Sequence, residues 1–411
     1  MLPNSLSVLC ITGVACLFGQ VNPLDQLDLP DPPPRPGAFA RLLRESEYVR
    51  VGVFSADHAP GTEPTENTRR LRLPADFERQ EALILVADKL AAAFPDVLVR
   101  IVATTRKRLK LVGLLSSPQS ARDVRSLLVR HGLPADSIQF VQVPSDTMWV
   151  RDFGPVFVRS SQRDVFAFDF DYTRRSGRHL RTRDDSAASL LARELDIPAR
   201  RVPMELEQGD LLSNGGDLLV TTSRAVNVNV SRGYAARTII RSLQKMFGCR
   251  RIIVLEALQH EPTGHVDIFA CFVDPGTIII GEYDRAVDPV NAAVLDCSAA
   301  VLSSVQESGR AIRVVRLPMP GNHNGEWRTY ANVVFANGVL LVPCYGADEA
   351  DGDQAAVEIF RRVLPRWQVV PIDASALIVQ EGALRCVTLN LPAKARRGEQ
   401  DVNTHDGTTG Q

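Results

Sequence analysis

The sequence has almost no net charge: 47 Lys and Arg stand against 48 Asp and Glu, leaving −1. Nothing in that balance asks for nucleic acid or an anionic membrane as partner. A small cation would have to be met by local acids rather than by a global field. Paired cysteines are lacking too. Seven are scattered at Cys10, Cys16, Cys249, Cys271, Cys297, Cys344 and Cys386. No two form a CxxC pair, so a zinc site is not expected. An odd count in a chain of 411 residues argues against a disulfide framework. Most of these thiols should be buried and inert. The apolar stretch Leu6 to Gly19 is too short for a good transmembrane helix. It reads either as the core of a signal peptide, although no Lys or Arg precedes it, or as a start with no structural role. Gly13-Val14-Ala15-Cys16 is loosely similar to a lipoprotein cleavage site, with Gly13 where an aliphatic residue is expected. Cytoplasmic and exported or membrane-anchored readings both stay open.

What is present is the material of a globular core, 45% hydrophobic and 23% charged. The proline cluster Asp31-Pro32-Pro33-Pro34-Arg35-Pro36-Gly37 cannot continue a helix or a central strand, so residues 1–38 read as leader and linker. Residues 393–411 are polar and aperiodic and read as a disordered tail. Between them, residues 39–392 form the expected catalytic unit. Glu81–Val86 reads as a buried strand, Asp88–Phe94 as a helix, Val97–Ala103 as a strand, 118–131 as an amphipathic helix and Phe140–Val143 as a strand. Such alternation argues for an α/β fold.

A further regularity runs through the chain. Five segments repeat one plan: a strand, a polar loop, then a second strand with polar residues at its start. The five second halves begin around Trp149-Val150-Arg151-Asp152, Asn214-Gly215-Gly216-Asp217, Gly264-His265-Val266-Asp267, Tyr330-Ala331-Asn332 and Leu384-Arg385-Cys386. A degenerate repeat of this kind suggests a radial or stacked architecture. The polar strand starts would then face a common centre.

Collected there, Asp152, Asp217, His265, Asp267, Asn332 and Cys386 supply a thiol, its acid/base partner and several acids. Taken singly, each is ordinary: an ion-paired Asp, a structural His, a buried strand Cys. Their shared place in the repeat is what makes them a set. Carboxylates beside a thiolate raise its pKa, which makes sense if the substrate is itself a cation. A guanidinium is such a cation, and carboxylates meet its planar fork bidentately. On a regular strand His265 and Asp267 would share one face.

These residues resemble a known family. Trp149-Val150-Arg151-Asp152-Phe153-Gly154-Pro155 is similar to the WxRDxGP motif of agmatine deiminases and bacterial-type peptidylarginine deiminases. The other four motifs follow in the family's order, and the resemblance covers roughly residues 70–392. It implies the pentein fold, a five-bladed α/β propeller of ββαβ-type modules. It also implies that Asp152 and Asp267 bind the guanidinium, with Trp149, Arg151, Asp217 and Asn332 around it. By the same resemblance His265 is the general acid/base, Cys386 the nucleophile, and neither metal nor cofactor is needed. The expected substrate is agmatine, arginine or an arginine-containing peptide, and a homo-oligomer is possible. Three positions depart from the pattern. Asn214 stands where a glutamate often precedes Gly-Gly, Gln380-Glu381-Gly382 where Gly-Gly is common, and Arg385 where His is usual. Arg385 and Arg151 are read as meeting a substrate carboxylate or stabilising a thiolate. Two other readings stay open, a pentein that binds without catalysis and an amidinotransferase.

Overall fold

Val97–Ala103, expected as a strand, lies inside a helix, Pro95–Thr105. Its β-branched residues suggested the strand, but Val97, Leu98, Ile101, Val102 and Thr105 are the buried ones. That spacing is one face of a helix, and Pro95 sits in the first turn, where its missing N–H costs nothing. The protein is seen here as a computed structural model. It describes residues 71–394 apart from 163, 174, 177, 178, 308 and 322–324, together with 22–24, 27, 29–31, 49 and 51–56. The apolar stretch Leu6–Gly19, residues 32–37 of the proline cluster and the tail beyond Lys394 lie outside the described residues. No helix among the described residues is long and apolar enough to cross a membrane.

Five sheets repeat one topology. In the second blade Val156–Ser160 runs antiparallel to Val165–Asp171, which is parallel to Ala199–Glu205. The third combines Leu212–Ser213, Leu218–Thr222 and Arg251–Leu255 in the same way. The fourth uses Ala270–Asp274, Thr277–Glu282 and Arg313–Pro318. The fifth uses Val334–Phe335, Val339–Cys344 and Gln368–Asp373. Parallel neighbours need a crossover, and helices such as Thr182–Glu194, Pro289–Ser303 and Ala350–Val363 provide it. Each blade is thus a ββαβ unit, and this is the pentein fold. Sheets covered on both faces favour unbroken apolar strands, and Val339–Cys344 is buried along its whole length.

The first blade closes the ring. Its opening strand is the last of the described chain, Thr388–Pro392, which lies antiparallel to Gln80–Val86 with Leu389 opposite Ile84. Lys110–Leu115 and Gln139–Gln142 follow in parallel. This closure brings residues just before Thr388 to the centre, beside the other blades' entry turns. Those entry turns are where the polar motifs sit. Asp152 lies in a one-turn helix, Val150–Phe153, ahead of Val156. Asp267 lies in the 3-10 turn Val266–Ile268 ahead of Ala270. Asn332 precedes Val334. The motifs therefore precede the second strands rather than beginning them.

Candidate active site

Cys386 occupies a tight turn in which the Thr388 N–H donates to the Arg385 carbonyl at 3.1 Å and the Thr388 hydroxyl donates to the Leu384 carbonyl at 3.0 Å. The Arg151 N–H donates to the Cys386 carbonyl at 3.2 Å, which ties this turn to the Asp152 turn. Asn332 supports it from below. Its Oδ1 accepts the N–H groups of Arg385 at 2.8 Å and Cys386 at 3.3 Å, and lies 3.5 Å from the Cys386 sulfur. Cys386 lines a cleft of about 490 Å³ together with Asp152, His265, Trp149, Thr263, Lys89, Arg181 and Glu381.

Three of the expected residues thus converge on one cavity: Cys386, His265 and Asp152. Trp149 forms part of the wall, and Gly382 packs on it so closely that a Cβ there would lie 2.4 Å from the indole. His265 is fixed by the turn before it. The Glu261 carboxylate accepts from the Thr263 N–H and hydroxyl and from the Gly264 N–H, and the His265 N–H donates to Thr263 Oγ1 at 3.2 Å.

The imidazole has a partner that the sequence reading missed. His265 Nε2 lies 2.8 Å from Glu207 Oε2, both side chains being 1% exposed. With Nε2–H donating to that carboxylate, Nδ1 is the nitrogen left for chemistry. Nδ1 lies 3.9 Å from Asp152 Oδ1 and has no hydrogen-bond partner among the described residues. Burial works against protonating His265, but the charges of Asp210 and Glu207 outweigh it and push the pKa up to about 9. Glu207 and Asp210 cap one another across a short turn and are both paired with Arg224, at 3.3 and 3.2 Å. Burial, then the charges of Asp267 and Asp152, hold the Cys386 thiol well above its ordinary pKa. The resting pair is therefore a thiol and an imidazolium. Asp152, Glu207 and His265 also bring one potential metal-ligand atom each within 4.8 Å of one another, but Glu207 is already committed to the imidazole and Arg224.

Asn214 is corrected by this arrangement. The acid was sought immediately before Gly215-Gly216, but the acid at the site is Glu207, in Glu207-Gln208-Gly209. Gly209 lies against the imidazole, where a Cβ would stand 2.2 Å from Nδ1. Asn214 instead shapes a turn, its Oδ1 accepting the N–H groups of Gly216 and Leu218 at 2.9 and 3.1 Å. Asp217 is on the same turn, partly exposed and paired with Arg250. It is not part of the site. The signal that could have found Glu207 is an acid two residues before a glycine in the loop that joins the two strands of that unit.

His265 and Asp267 do not share a strand face, because the segment between them is a 3-10 turn. Asp267 is fully buried, and its Oδ2 accepts from the Arg385 guanidinium at 2.6 Å. Arg385 Nε donates to Asp76 Oδ2 at 2.7 Å. Arg151, 1% exposed, donates to Gln208 Oε1, Asn390 Oδ1 and the Arg385 carbonyl. Both guanidinium groups are committed to partners inside the protein, so neither is left for a substrate carboxylate, contrary to that half of the expectation, whereas the Arg385 charge does favour the Cys386 thiolate, against the larger effects of burial and the acids. The Glu381 departure also has a backbone cost. Its φ is 67°, left-handed space that glycine enters freely and other residues enter at a cost of about 1–2 kcal/mol. Cys271 and Cys344 are buried, as expected of core thiols, and Cys297 is exposed.

A ring of five ββαβ blades with a thiol at its centre defines the class: a pentein of the guanidino-group-modifying enzymes. The model of the Porphyromonas-type peptidyl-arginine deiminase family matches residues 72–392, and the chain belongs to that family. It is a hydrolase of C–N bonds in linear amidines, the expected class. Among curated relatives it is 28% identical over 299 residues to an agmatine deiminase of Stutzerimonas stutzeri, spanning 65% of this chain and 80% of that protein. An agmatine deiminase of Medicago truncatula is 25% identical over 304 residues, spanning 64% and 80%. Among solved structures, the agmatine deiminase of Enterococcus faecalis superposes with a TM-score of 0.69 at 20% identity, covering 83% of this chain and all of that one. A putative arginine deiminase from Porphyromonas gingivalis gives 0.68 at 24% identity, covering 79% and 98%. At those identities the superpositions speak for the fold.

Proposed function

We propose that the protein hydrolyses a guanidinium to a ureido product and ammonia through a covalent intermediate on Cys386. The observation that carries this is Cys386, His265 and Asp152 lining one cleft, with Asp267 buried beside the thiol. Asp267 Oδ1 is buried with no hydrogen-bond partner among the described residues. A buried acceptor left in that state calls for a donor, and a guanidinium carries five.

Substrate binding supplies what the resting thiol lacks. A cation beside Cys386 favours the thiolate, whose proton passes to solvent as the substrate binds. The sulfur attacks the guanidinium carbon to form a C–S bond, and the adduct collapses by breaking one C–N bond. His265 Nδ1 gives its proton to the departing nitrogen, which leaves as ammonia. The remaining S-alkylthiouronium is attacked by water, whose proton passes to the now neutral His265 as general base. The C–S bond breaks, and the ureido product and the thiol are released. Glu207 holds the imidazole in the required tautomer throughout.

One observation bears on which guanidine this is. Lys89 and Arg181 line the cleft with Cys386. Among the described residues the Lys89 ammonium has no carboxylate partner and the Arg181 guanidinium donates only to the Tyr172 hydroxyl, at 3.0 Å. Two such cations disfavour the free ammonium of agmatine and favour a carboxylate at the substrate's far end. The reading is therefore arginine, free or at a peptide terminus, ahead of agmatine. Ammonia release from agmatine, free arginine and an arginine peptide, with Cys386→Ala as control, tests it. No release from any of them would leave the non-catalytic reading, and guanidino transfer to an added amine would favour the amidinotransferase.

A further inference from the structure

We propose that Asp76 and Arg385 are positioning residues that act through Asp267, keeping one of its oxygens open for the substrate. This rests on the deimination reading above. A free arginine–carboxylate pair closes bidentately, two N–H groups on two oxygens. Here it does not. Arg385 reaches only Asp267 Oδ2, at 2.6 Å, and leaves Oδ1 without a partner. The reason is that the rest of the fork is committed. Arg385 Nε donates to Asp76 Oδ2 at 2.7 Å, and the other amino nitrogen reaches the Leu211 carbonyl at 3.4 Å. Asp76 also lies 3.9 Å from Arg151. The Arg385 main chain is pinned as well, by Asn332 Oδ1 at 2.8 Å.

Asp76 is itself held in place. It belongs to the segment leading into the first blade, where Arg72 grips Glu78 with two hydrogen bonds of 2.5 and 2.6 Å. Gln80 Nε2 donates to the Asp76 carbonyl at 3.1 Å. A chain of charge, Asp76–Arg385–Asp267, thus runs from the entry segment to a carboxylate whose charge bears on the thiol. Asp76 draws one edge of the guanidinium away, and Arg385 then orients Asp267 without covering it. The sequence offers a reason for an arginine directly before the nucleophile: it is a spacer of fixed charge, not a substrate ligand.

The test uses two substitutions with opposite consequences. Asp76→Ala removes the acceptor of Arg385 Nε–H and lets the guanidinium turn both amino groups onto the oxygens of Asp267. Substrate then loses its acceptor, and kcat/KM falls about 100-fold, mainly through KM. Chelated Asp267 also exerts less negative charge on Cys386, so the pH midpoint of iodoacetamide alkylation moves down. Arg385→Met leaves Asp267 unneutralised, and the same midpoint moves up. Misfolding would not split the two variants in this way. The proposal is overturned if Asp76→Ala keeps kcat/KM within about twofold of the parent, or if both midpoints move in one direction. If the parent releases no ammonia from any guanidine, the functional reading fails, while the alkylation midpoints still judge the charge chain.

Discussion

His265 Nε2 and Glu207 Oε2 are 2.8 Å apart in a pair closed to solvent, and this contact leaves Nδ1 for chemistry while the charge of Asp210, with Glu207, keeps the imidazole protonated. With the pKa pushed to about 9, His265 is an acid over the whole neutral range. Activity should therefore fall on the alkaline side as the imidazolium is lost near pH 9. Glu207→Gln removes one of the charges that raise this pKa and should move the alkaline limb of kcat/KM to lower pH. A limb that stays in place would mean that another group sets it.

Asp152 is the buried acid that lines the cleft with the thiol. Asp152→Asn keeps the shape and removes the charge. Loss of a buried charge partner costs about 3–5 kcal/mol, so kcat/KM should drop at least 100-fold. The thiol should meanwhile become easier to ionise, because Asp152 is one of the charges holding its pKa up. Slower turnover with faster alkylation at neutral pH is the expected combination.

Gly209 is required by space. A methyl group there would stand 2.2 Å from His265 Nδ1. Gly209→Ala should cost about 1–3 kcal/mol of stability as the imidazole or the turn gives way. Turnover should suffer more than stability, since the displaced group is the proposed acid. A thermal melt beside an ammonia assay separates the two effects.

At the mouth of the cleft, Lys89→Ala and Arg181→Ala should each weaken arginine and improve agmatine. The change in their kcat/KM ratio should be about tenfold per cation, a little over 1 kcal/mol. Equal losses on both substrates would place the far end of the substrate elsewhere.

Much of this could be read from residue order. The five-unit plan follows from strands that alternate with polar loops, and it pointed to Cys386, His265 and Asp152 because their units deliver these residues to one cleft, which the Asn214–Asp217 unit does not. What could not be read was local backbone shape. A two-residue spacing was taken for strand geometry at His265–Asp267, but a 3-10 turn separates the pair. The β-branched run at Val97 hid a helix opened by Pro95. Asn214-Gly215-Gly216-Asp217 drew the eye to a hairpin turn, while Glu207 and Gly209, seven and five residues earlier, reached the imidazole. Asp76 was invisible for a different reason. Its role depends on closure of the ring by a strand more than 300 residues further on, and such pairing leaves no local trace.

The central claim is the covalent bond between Cys386 and substrate carbon. Enzyme quenched during turnover of an arginine substrate, digested and weighed by mass spectrometry, tests it most directly. The account predicts a thiouronium-sized mass increase on the peptide that contains Cys386, absent in Cys386→Ser. Full turnover by Cys386→Ser, or an adduct confined to another cysteine, would contradict it.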